Sequence, residues 1–462
     1  MKLLTVTGLL LICVVTAAQR NPNPFLDGDR VVFAGNSITE AGFYENYVWL
    51  YYITHFPDRK IKVLNGGIGG DVAEQIYTRL KPDILAMDPT VVVVTFGMND
   101  SRYFEYINPA FKGDSLRDAA IAASLAGFEK IVAVLDSFPK IRKIIMSSSP
   151  YDETMKNEKN YFPGKSKTME GIVRFQRRIA EKNDWAYIDL FYPMTAIQQR
   201  EQRVDSTFTL TGPDRIHPGK AGHLVMAYLF LKSQKLDNIP VCAVEIDVAA
   251  LKVKKSINCT ISGLSSSGNA VSFSYLSNSL PFPVDTRRDS GDAQGEWEAL
   301  KVIPFQREFN QELFVLKGLK PGKYAVFVDG KHVAEFSNEE LNNGINLALS
   351  DQTPQNLQAQ KVRELLFKRK AIEDKIRSYY WVNFNYLRGK GMLFNDGEAA
   401  LDSVVNAAKK DFFVAMKKDD YEEVRLKSTR DSLQQQMQLL EDKMYETARP
   451  VMHEISIREI NN

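Results

Sequence analysis

The chain is poor in histidine, and this limits the kinds of site it can form. Its 462 residues include five histidines: His55, His217, His223, His332 and His453. No His-Glu-x-x-His pair is present, and zinc sites in proteins draw on clustered histidine, cysteine or carboxylate ligands. We therefore expect no metal and no other cofactor.

An excess of charge and long apolar segments are also missing. Lys and Arg number 59 against 57 Asp and Glu, which gives no electrostatic footprint for nucleic acid or an anionic membrane. The apolar run from Leu3 to Val15 is shorter than the ~20 residues that span a bilayer. It follows Met1-Lys2 and precedes Thr16-Ala17-Ala18, which is typical of a cleaved signal peptide over residues 1–18. We expect a secreted or periplasmic protein without a membrane span.

Cysteine is scarce as well. Of the three cysteines, Cys13 lies in the predicted signal peptide, which leaves Cys242 and Cys259. In an exported protein these two either form a disulfide or remain a free pair. Neither is a candidate for catalysis.

A serine and a distant Asp/His segment stand out from this background. Ser37 lies in Gly35-Asn36-Ser37-Ile38-Thr39, directly after the β-branched run Val31-Val32-Phe33. About 180 residues later comes Asp214-Arg215-Ile216-His217-Pro218. A serine hydroxyl attacks only if an imidazole removes its proton, and that imidazole needs a carboxylate to fix its tautomer. The combination predicts a serine hydrolase with Ser37, Asp214 and His217 as catalytic residues.

Two further segments follow predicted strands. Asn65-Gly66-Gly67-Ile68-Gly69-Gly70-Asp71 comes after Ile61 to Leu64, and Gly97-Met98-Asn99-Asp100 comes after Val91 to Phe96. Ligand sites in open parallel sheets form at the carboxyl ends of strands, so these segments and the Asp/His loop can converge. The N–H groups of Ser37 and Gly70 and the side-chain amide of Asn99 are suited to an oxyanion hole.

These four blocks, in this order, resemble the SGNH (GDSL-type) hydrolase family over roughly residues 28 to 235. The resemblance implies a flavodoxin-like α/β fold. It also implies a serine nucleophile at Ser37, an oxyanion glycine at Gly70, an oxyanion asparagine at Asn99 and the last block's Asp-x-x-His at Asp214 and His217.

The match has one departure and one ambiguity. Asn36 stands where the family has an acidic residue, but an amide can make the same turn hydrogen bonds. Gly66, Gly67, Gly69 and Gly70 are all available in block two, and the position before Asp71 favours Gly70.

Each residue also has a structural interpretation. Ser37 or Thr39 alone would be an ordinary helix N-cap, and Asn99 with Asp100 an ordinary turn. The joint occurrence of four blocks favours the catalytic interpretation. His223 lies in a predicted helix from Ala221 to Lys232 and is expected to be structural. Asn99-Asp100-Ser101 matches a glycosylation acceptor, and because a glycan there would block the chemistry, it favours bacterial export.

The chain is long enough for two or three domains. Residues 24–236 alternate strand and helix patterns, which predicts a parallel sheet with helices on both faces. Strands are expected near the following ranges: Arg30 to Ala34, Ile61 to Leu64, Thr90 to Phe96, Lys143 to Ser147 and Trp185 to Leu190. Helices are expected at Ala119 to Phe138 and Ser166 to Lys182.

The pattern of apolar and polar residues changes twice in the rest of the chain. Residues 240–350 contain short alternating runs, including a hairpin signal at Asp329-Gly330, and predict a small β-sandwich-like domain. His332 should be a surface strand residue. From Thr353 to residue 462 strand signals are missing and apolar residues recur at helical spacing, which predicts a region of two or three long helices. The cluster Tyr379-Tyr380-Trp381 is expected to be core, with sugar stacking as the alternative.

The functional expectation is an exported serine esterase that removes short acyl groups, with acetyl favoured, from a small-molecule or polysaccharide ester. A carbohydrate substrate is favoured by the export signal and the accessory domains. Arg102, Tyr103 and Tyr151 are expected to bind substrate because they follow the third and fourth strands. The alternatives are a lipase or lysophospholipase and a non-catalytic glycan-binding protein.

Overall fold

The computed structural model describes residues 20–110, 113–267, 269–287 and 294–460. The predicted signal peptide, residues 1–18, lies outside these residues. Within the described ranges, no helix combines the length and apolar character needed to cross a membrane.

The first unit is built on a five-stranded, fully parallel sheet with strand order β2-β1-β3-β4-β5. Its strands are β1 (Arg30–Gly35), β2 (Lys62–Gly67), β3 (Val91–Val94), β4 (Arg142–Met146) and β5 (Ala186–Ile188). Val91 and Val93 pack into one apolar cluster, whereas Val92 and Val94 pack into another on the opposite face. Because side chains alternate along a strand, an all-valine strand requires cover on both faces. The predicted flavodoxin-like architecture is confirmed.

Helices provide that cover. In the first unit they are α1 (Ser37–Glu40), α2 (Tyr44–His55), α3 (Ala73–Arg79), α4 (Gly113–Asp136), α5 (Lys165–Lys182), α6 (Phe191–Glu201) and α7 (Lys220–Ser233). Every residue of α2 is buried, because this helix is enclosed by the sheet and by later parts of the chain. Helix α1 is a single turn directly after β1, and it carries Ser37.

Two further sheets pack face to face in the second part of the chain. One has the order β13-β10-β6-β7 and the other β12-β11-β14-β9-β8. Their strands are β6 (Cys242–Asp247), β7 (Lys252–Ile257), β8 (Cys259–Ser267), β9 (Ala270–Ser277), β10 (Glu312–Lys317), β11 (Lys323–Val328), β12 (Lys331–Ser337), β13 (Ile345–Asn346) and β14 (His453–Ile460). Apolar side chains from both sheets form one cluster between them, which is the expected sandwich. We call this part the β region.

The predicted hairpin is present between β11 and β12. Asp329 and Gly330 both have positive φ, at 51° and 76°, as a type I′ turn requires. Three short helices that the alternating pattern did not predict join the strands of the β region: α8 (Glu296–Val302), α9 (Phe305–Phe309) and α10 (Asn338–Asn343). Cys242 and Cys259, on β6 and β8, are both free thiols.

The helical region comprises α11 (Pro354–Asn385), α12 (Glu398–Ala408), α13 (Phe412–Val424) and α14 (Lys427–Thr447). The expectation that no strand follows Thr353 is wrong, because β14 inserts between β9 and β11. Its residues Ile455 and Ile457 are buried in the sandwich. The helical region is therefore bracketed by strands of the β region instead of extending to the end of the chain.

The helical region docks against the edge strand β2 of the parallel sheet. The Tyr445 hydroxyl accepts a hydrogen bond from the Ile61 N–H at 2.9 Å and donates to the Ile61 carbonyl at 2.7 Å. Lys62 forms an ion pair with Glu441 at 2.8 Å. An uncovered edge strand would present unpaired backbone groups, and the Tyr445 hydroxyl satisfies those of Ile61, the residue directly before β2.

Candidate active site

Ser37 occupies the first position of α1, at the carboxyl end of the interior strand β1. A side chain at Gly35 would meet Thr39 Oγ1 at 2.1 Å, so only glycine allows this tight strand-to-helix turn. Asn36 is the N-cap, and its Oδ1 accepts the Ile38 N–H at 3.1 Å. The amide thus makes the turn hydrogen bond expected of the acidic residue it replaces. Because Ser37 opens the helix, its own N–H has no intrahelical acceptor.

The structure brings Ser37, His217 and Asp214 together. The Ser37 Oγ lies 2.9 Å from Nε2 of His217, and His217 Nδ1 lies 2.6 Å from Oδ2 of Asp214. The second carboxylate oxygen of Asp214 accepts the N–H groups of Ile216 and His217, each at 3.0 Å. Burial raises the pKa of Asp214, but the hydrogen bonds from His217 and the backbone outweigh it and hold the pKa below its usual value. The imidazole is therefore held by an ionised carboxylate.

Arg215 fixes the loop between the aspartate and the histidine. It is 1% exposed and has a positive φ of 68°. Its guanidinium donates to the carbonyls of Lys159, Asp152 and Asn157. Residue spacing does not predict this role of Arg215, because it reveals neither the burial of the side chain nor its backbone conformation.

Block two presents one free backbone donor. The Gly67 N–H donates to Asn65 Oδ1 at 2.8 Å, and the Gly69 N–H donates to Glu40 Oε2 at 3.0 Å. The Gly70 N–H donates to none of the described residues. Gly70 has a φ of 89°, and a Cβ added to it would meet no atom within 4 Å. Of these three N–H groups, only that of Gly70 is available to a ligand.

Block three holds Asn99 by both ends of its amide. The Asn99 Nδ2 donates to the Asp71 carbonyl at 2.9 Å, and its Oδ1 accepts the Tyr103 hydroxyl at 2.6 Å. The buried Asp100 carboxylate accepts the N–H groups of Ala73 and Gly97, each at 3.0 Å. These bonds link blocks two and three and leave the second amide hydrogen of Asn99 available.

Lys165 is buried beneath the same loop. The sequence alone did not identify this residue as part of the site. Its ammonium donates to the Met98 carbonyl at 2.6 Å, to Ser101 Oγ at 2.6 Å and to the Arg102 carbonyl at 2.5 Å. It also lies 3.7 Å from the centre of the Tyr103 ring. Burial lowers the pKa of Lys165 well below its usual value, while nearby carboxylates oppose this. The side chain supports the loop from within and does not reach solvent.

The three residues predicted to bind substrate differ in their environments. Arg102 is exposed and Tyr103 half-buried, and both follow Asn99 directly. Tyr151 is only 2% exposed. Its hydroxyl donates to the Asn160 carbonyl at 2.6 Å and accepts the Phe162 N–H at 2.7 Å. Tyr151 therefore supports the loop after β4 instead of offering a surface to a ligand.

The other expected structural residues are in structural positions. His223 is buried and stacks on Tyr44 with a ring separation of 6.0 Å. Burial lowers its pKa to about 3, so it is neutral at ordinary pH. His332 is exposed on β12. Tyr379 and Trp381 belong to the apolar core of the helical region, so the cluster containing them is core rather than a sugar platform.

The site is open rather than tunnel-like. The His217 side chain is 49% exposed. Five clefts of about 310 to 740 Å³ have none of Ser37, Asp214 and His217 in their walls. The largest lies between the β region and α11, and its wall includes Phe43 and Lys220. A hydroxyl, an imidazole and a carboxylate in series, beside free N–H donors, can attack a carbonyl and stabilise the resulting oxyanion.

Two family models match the chain. Residues 33–225 match the GDSL-like lipase/acylhydrolase family. Residues 360–449 match the diltiazem deacetylase C-terminal helical domain.

Solved structures and curated proteins give similar relatives. The structure of a gut microbial diltiazem-metabolizing enzyme is 38% identical and covers 96% of this chain and 100% of its own, with a TM-score of 0.92. An acetylxylan esterase from Geobacillus stearothermophilus is 26% identical over 220 residues, which is 44% of this chain and 93% of that protein. A crystal structure of an acetylxylan esterase from the same organism is 24% identical and covers 45% of this chain and 95% of its own, with a TM-score of 0.35.

Proposed function

Since the chain belongs to the GDSL-like lipase/acylhydrolase family of SGNH hydrolases and is a carboxylic ester hydrolase, we propose that Ser37, His217 and Asp214 form its catalytic triad and that its substrates are acetyl esters. The observation that carries the proposal is the chain of contacts from Ser37 Oγ to His217 at 2.9 Å and from His217 to Asp214 at 2.6 Å. The loop that carries the free Gly70 N–H is next to the nucleophile, since a Cβ at Gly69 would lie 3.7 Å from Ser37 Cβ.

Acylation begins when Ser37 Oγ attacks the ester carbonyl carbon. His217 Nε2 takes the hydroxyl proton as the carbon–oxygen bond forms. The tetrahedral intermediate then collapses, the bond to the leaving alkoxide breaks, and His217 returns the proton to that alkoxide. Asp214 holds the imidazole tautomer and stabilises the positive charge that it carries in between.

The carbonyl oxygen becomes negative in the intermediate and needs donors. The Ser37 N–H, the Gly70 N–H and the Asn99 amide form the proposed oxyanion hole. Water, activated by His217, then attacks the acyl-enzyme and releases the acid. Each oxyanion donor of this kind typically contributes a factor of ~10² to 10³ in rate.

A short acyl group suits the shape of the site. The triad is open to solvent, with the His217 side chain 49% exposed and that of Asp214 35% exposed. The names of the acetylxylan esterase relative and of the matched diltiazem deacetylase helical domain both refer to acetyl groups. Arg102 and Tyr103, at the rim after Asn99, are proposed to contact the leaving group.

The alcohol part of the ester has two candidates. An acetylated carbohydrate is favoured by the proposed export, by the accessory domains and by the acetylxylan esterase relative. A small-molecule acetate is the second candidate, favoured because the diltiazem-metabolizing relative matches all three parts of the chain. The export step itself is proposed from residues 1–18, and N-terminal sequencing of protein recovered from the periplasm and medium tests it.

The decisive experiment compares the parent protein with Ser37→Ala on p-nitrophenyl acetate, butyrate and laurate. Acetate release from acetylated xylan, acetylated pectin and diltiazem is measured in parallel. We expect acetate ester turnover by the parent and at least a 10³-fold loss in Ser37→Ala. Ser137→Ala, which removes an exposed hydroxyl after α4, should retain full activity.

Other outcomes would change specific parts of the proposal. Rates that rise from acetate to laurate would replace the acetylesterase by a lipase-type acylhydrolase. Release from xylan or pectin, but not from diltiazem, would select the carbohydrate candidate, and the reverse would select the small-molecule one. Full activity in Ser37→Ala would reject the triad.

A further inference from the structure

The Gly69 carbonyl is held by two side chains from the end of α11. Trp381 Nε1 and Asn385 Nδ2 each donate a hydrogen bond to it at 3.1 Å. These residues lie more than 300 positions later in the chain, in the helical region.

This carbonyl belongs to the same peptide group as the Gly70 N–H. A peptide bond is planar and trans, so its C=O and N–H point in opposite directions. Fixing the Gly69 oxygen against α11 therefore fixes the direction of the Gly70 N–H, which points away from the helix and has no acceptor among the described residues. Two donors on the oxygen also polarise the peptide group, and this strengthens the N–H as a donor.

The preceding peptide group is fixed as well. The Gly69 N–H donates to Glu40 Oε2 at 3.0 Å, and Glu40 forms an ion pair with Lys417 of α13 at 3.1 Å. Glu40 ends the single helical turn that starts at Ser37. A side chain at Gly69 would lie 2.7 Å from Glu40 Oε2 and 3.7 Å from Ser37 Cβ, so the nucleophile turn and this loop are in close contact.

Helix α11 is anchored firmly enough to act as a reference. The Arg377 guanidinium makes two hydrogen bonds to the buried Asp83 carboxylate, at 2.7 and 2.8 Å, and a third to the Gly67 carbonyl at 3.2 Å. Trp381 is 9% exposed and packs in the same apolar cluster as Ile68. The donors to Gly69 therefore sit on an element that cannot shift without breaking buried contacts.

We propose that Trp381 and Asn385 are positioning residues that orient the Gly70 N–H, so that the helical region completes the oxyanion hole of the hydrolase unit. The inference rests on the proposed function, since it assigns Gly70 to that hole. Neither side chain touches the reacting atoms. Both act through the Gly69–Gly70 peptide group.

The test uses Trp381→Phe, Asn385→Leu and the double variant in the full chain. Phenylalanine keeps most of the packing and leucine keeps the size of the exposed asparagine, while both remove the donor. Either remaining donor can still hold the carbonyl, so each single variant should lose about 2- to 5-fold in kcat on p-nitrophenyl acetate. The double variant should lose about 10- to 100-fold, less than complete removal of an oxyanion donor costs.

Changes in kcat, KM and the boronic acid inhibition constant distinguish a positioning role from a merely structural one. KM should stay within about 2-fold of the parent, because the ground-state ester makes little use of the oxyanion hole. Inhibition by an alkyl boronic acid, which forms a tetrahedral adduct on serine, should weaken by the same factor as kcat. Tyr386→Phe is the matched control. It removes a hydroxyl that bonds Ser403 within the helical region and should leave all three constants unchanged.

Parental kcat and boronate affinity in a folded double variant would overturn the inference. A fall in kcat with parental boronate affinity would overturn it too. If the double variant does not fold, kcat of Asn385→Asp tests the inference instead. The new carboxylate lies at an exposed position and repels the Gly69 oxygen, so kcat must fall. The proposed function is tested separately with Ser37→Ala in the same p-nitrophenyl acetate assay. An active Ser37→Ala variant would reject that function.

Discussion

At the scale of single residues, the proposed active site depends on buried charges that do not react. Arg215 holds the Asp/His loop, Lys165 holds the Asn99 loop and Arg377 holds block two. Each donates to backbone carbonyls of the segment it holds, and Arg377 also pairs with the buried Asp83 carboxylate. Removing such a group leaves its acceptors buried and unpaired.

Asp214→Asn should be nearly inactive although it folds. The amide fits the same space but donates toward His217 Nδ1, so the imidazole takes the wrong tautomer, which costs ~10⁴ in kcat in serine proteases. We expect a loss of about 10³- to 10⁴-fold on p-nitrophenyl acetate with an unchanged melting temperature. Asp205→Asn, at an exposed turn, is the control. A loss below 10-fold would show that Asp214 does not orient the imidazole.

Lys165→Met should affect both stability and rate. The thioether chain fills the space of the lysine stem, but three acceptors lose their donor, which we expect to lower the free energy of unfolding by roughly 2 kcal/mol or more. Displacement of Asn99 should lower kcat about 10- to 100-fold. Denaturant unfolding and steady-state kinetics check both effects. Lys167→Met, at an exposed position, is the control and should change neither the free energy of unfolding nor kcat. If Lys165→Met also changes neither, the loop does not need the ammonium group.

The residues that meet at the site were largely predictable, and their supports were not. The sequence predicts the proposed catalytic and oxyanion residues because residue types suited to this chemistry follow predicted strands or match the family motif. These residues are Ser37, Asp214, His217, Gly70 and Asn99. Lys165 and Arg377 look like ordinary surface residues of helices. Their roles come from burial against segments that are distant in the chain, and Tyr151 was assigned to substrate because position after a strand does not reveal burial.

At the scale of elements, the parallel strands were predictable because each is a short segment with buried apolar residues, of which the all-valine β3 is the clearest case. Strand β14 was missed, although His453, Ile455 and Ile457 alternate inward along it. The segment before β14 has a helical composition, which predicts that the helices continue. The partners of β14, strands β9 and β11, lie more than 100 residues earlier. A strand whose pairing is this distant gives no local turn signal.

Ile457→Ala should destabilise the protein strongly. Ile457 is 2% exposed between the two sheets, and removing three buried carbons from such a position costs about 2–5 kcal/mol. Thermal unfolding should reveal a lower midpoint, with kcat at 25 °C unchanged. Val451→Ala, just before β14 and 52% exposed, should leave the midpoint in place. Equal midpoints for both variants would mean that β14 does not contribute to the core.

At the scale of the whole molecule, buried polar contacts join the three parts. Glu296 of α8 accepts hydrogen bonds from Tyr47 of α2 and from Arg363 of α11. Glu312 of β10 accepts the Tyr275 hydroxyl at 2.9 Å and the Gln355 amide at 3.0 Å. Burying such groups costs free energy unless they are hydrogen-bonded, and Tyr47, Arg363 and Gln355 supply these bonds from the other two parts of the chain.

Glu312→Gln should change how stability depends on pH. Burial raises the pKa of Glu312 from 4.5 to about 7. The folded protein therefore binds this proton more tightly than the unfolded chain does. Its contribution to stability is present below about pH 4.5 and is lost as the pH rises through about 7. Glutamine is neutral throughout, so the variant should gain stability relative to the parent between pH 5 and 8, on the order of 1–3 kcal/mol.

Denaturant unfolding at pH 5, 6, 7 and 8 measures this difference. Glu335→Gln, on the exposed face of β12, should run parallel to the parent at every pH. A parallel course for Glu312→Gln would mean that the buried carboxyl is ionised in the folded protein at all four values.

The position of β14 has a consequence for biosynthesis. A ribosome delivers β9 and β11 well before β14, and the sheet cannot close until the strand between them has emerged. During that interval, at ~5–20 residues per second, two strand edges face each other across an empty position. A polypeptide interrupted within α11 to α14 would keep those edges open, which makes it a substrate for chaperones and proteases. Quality control would thereby remove chains that carry the triad but lack its complete support.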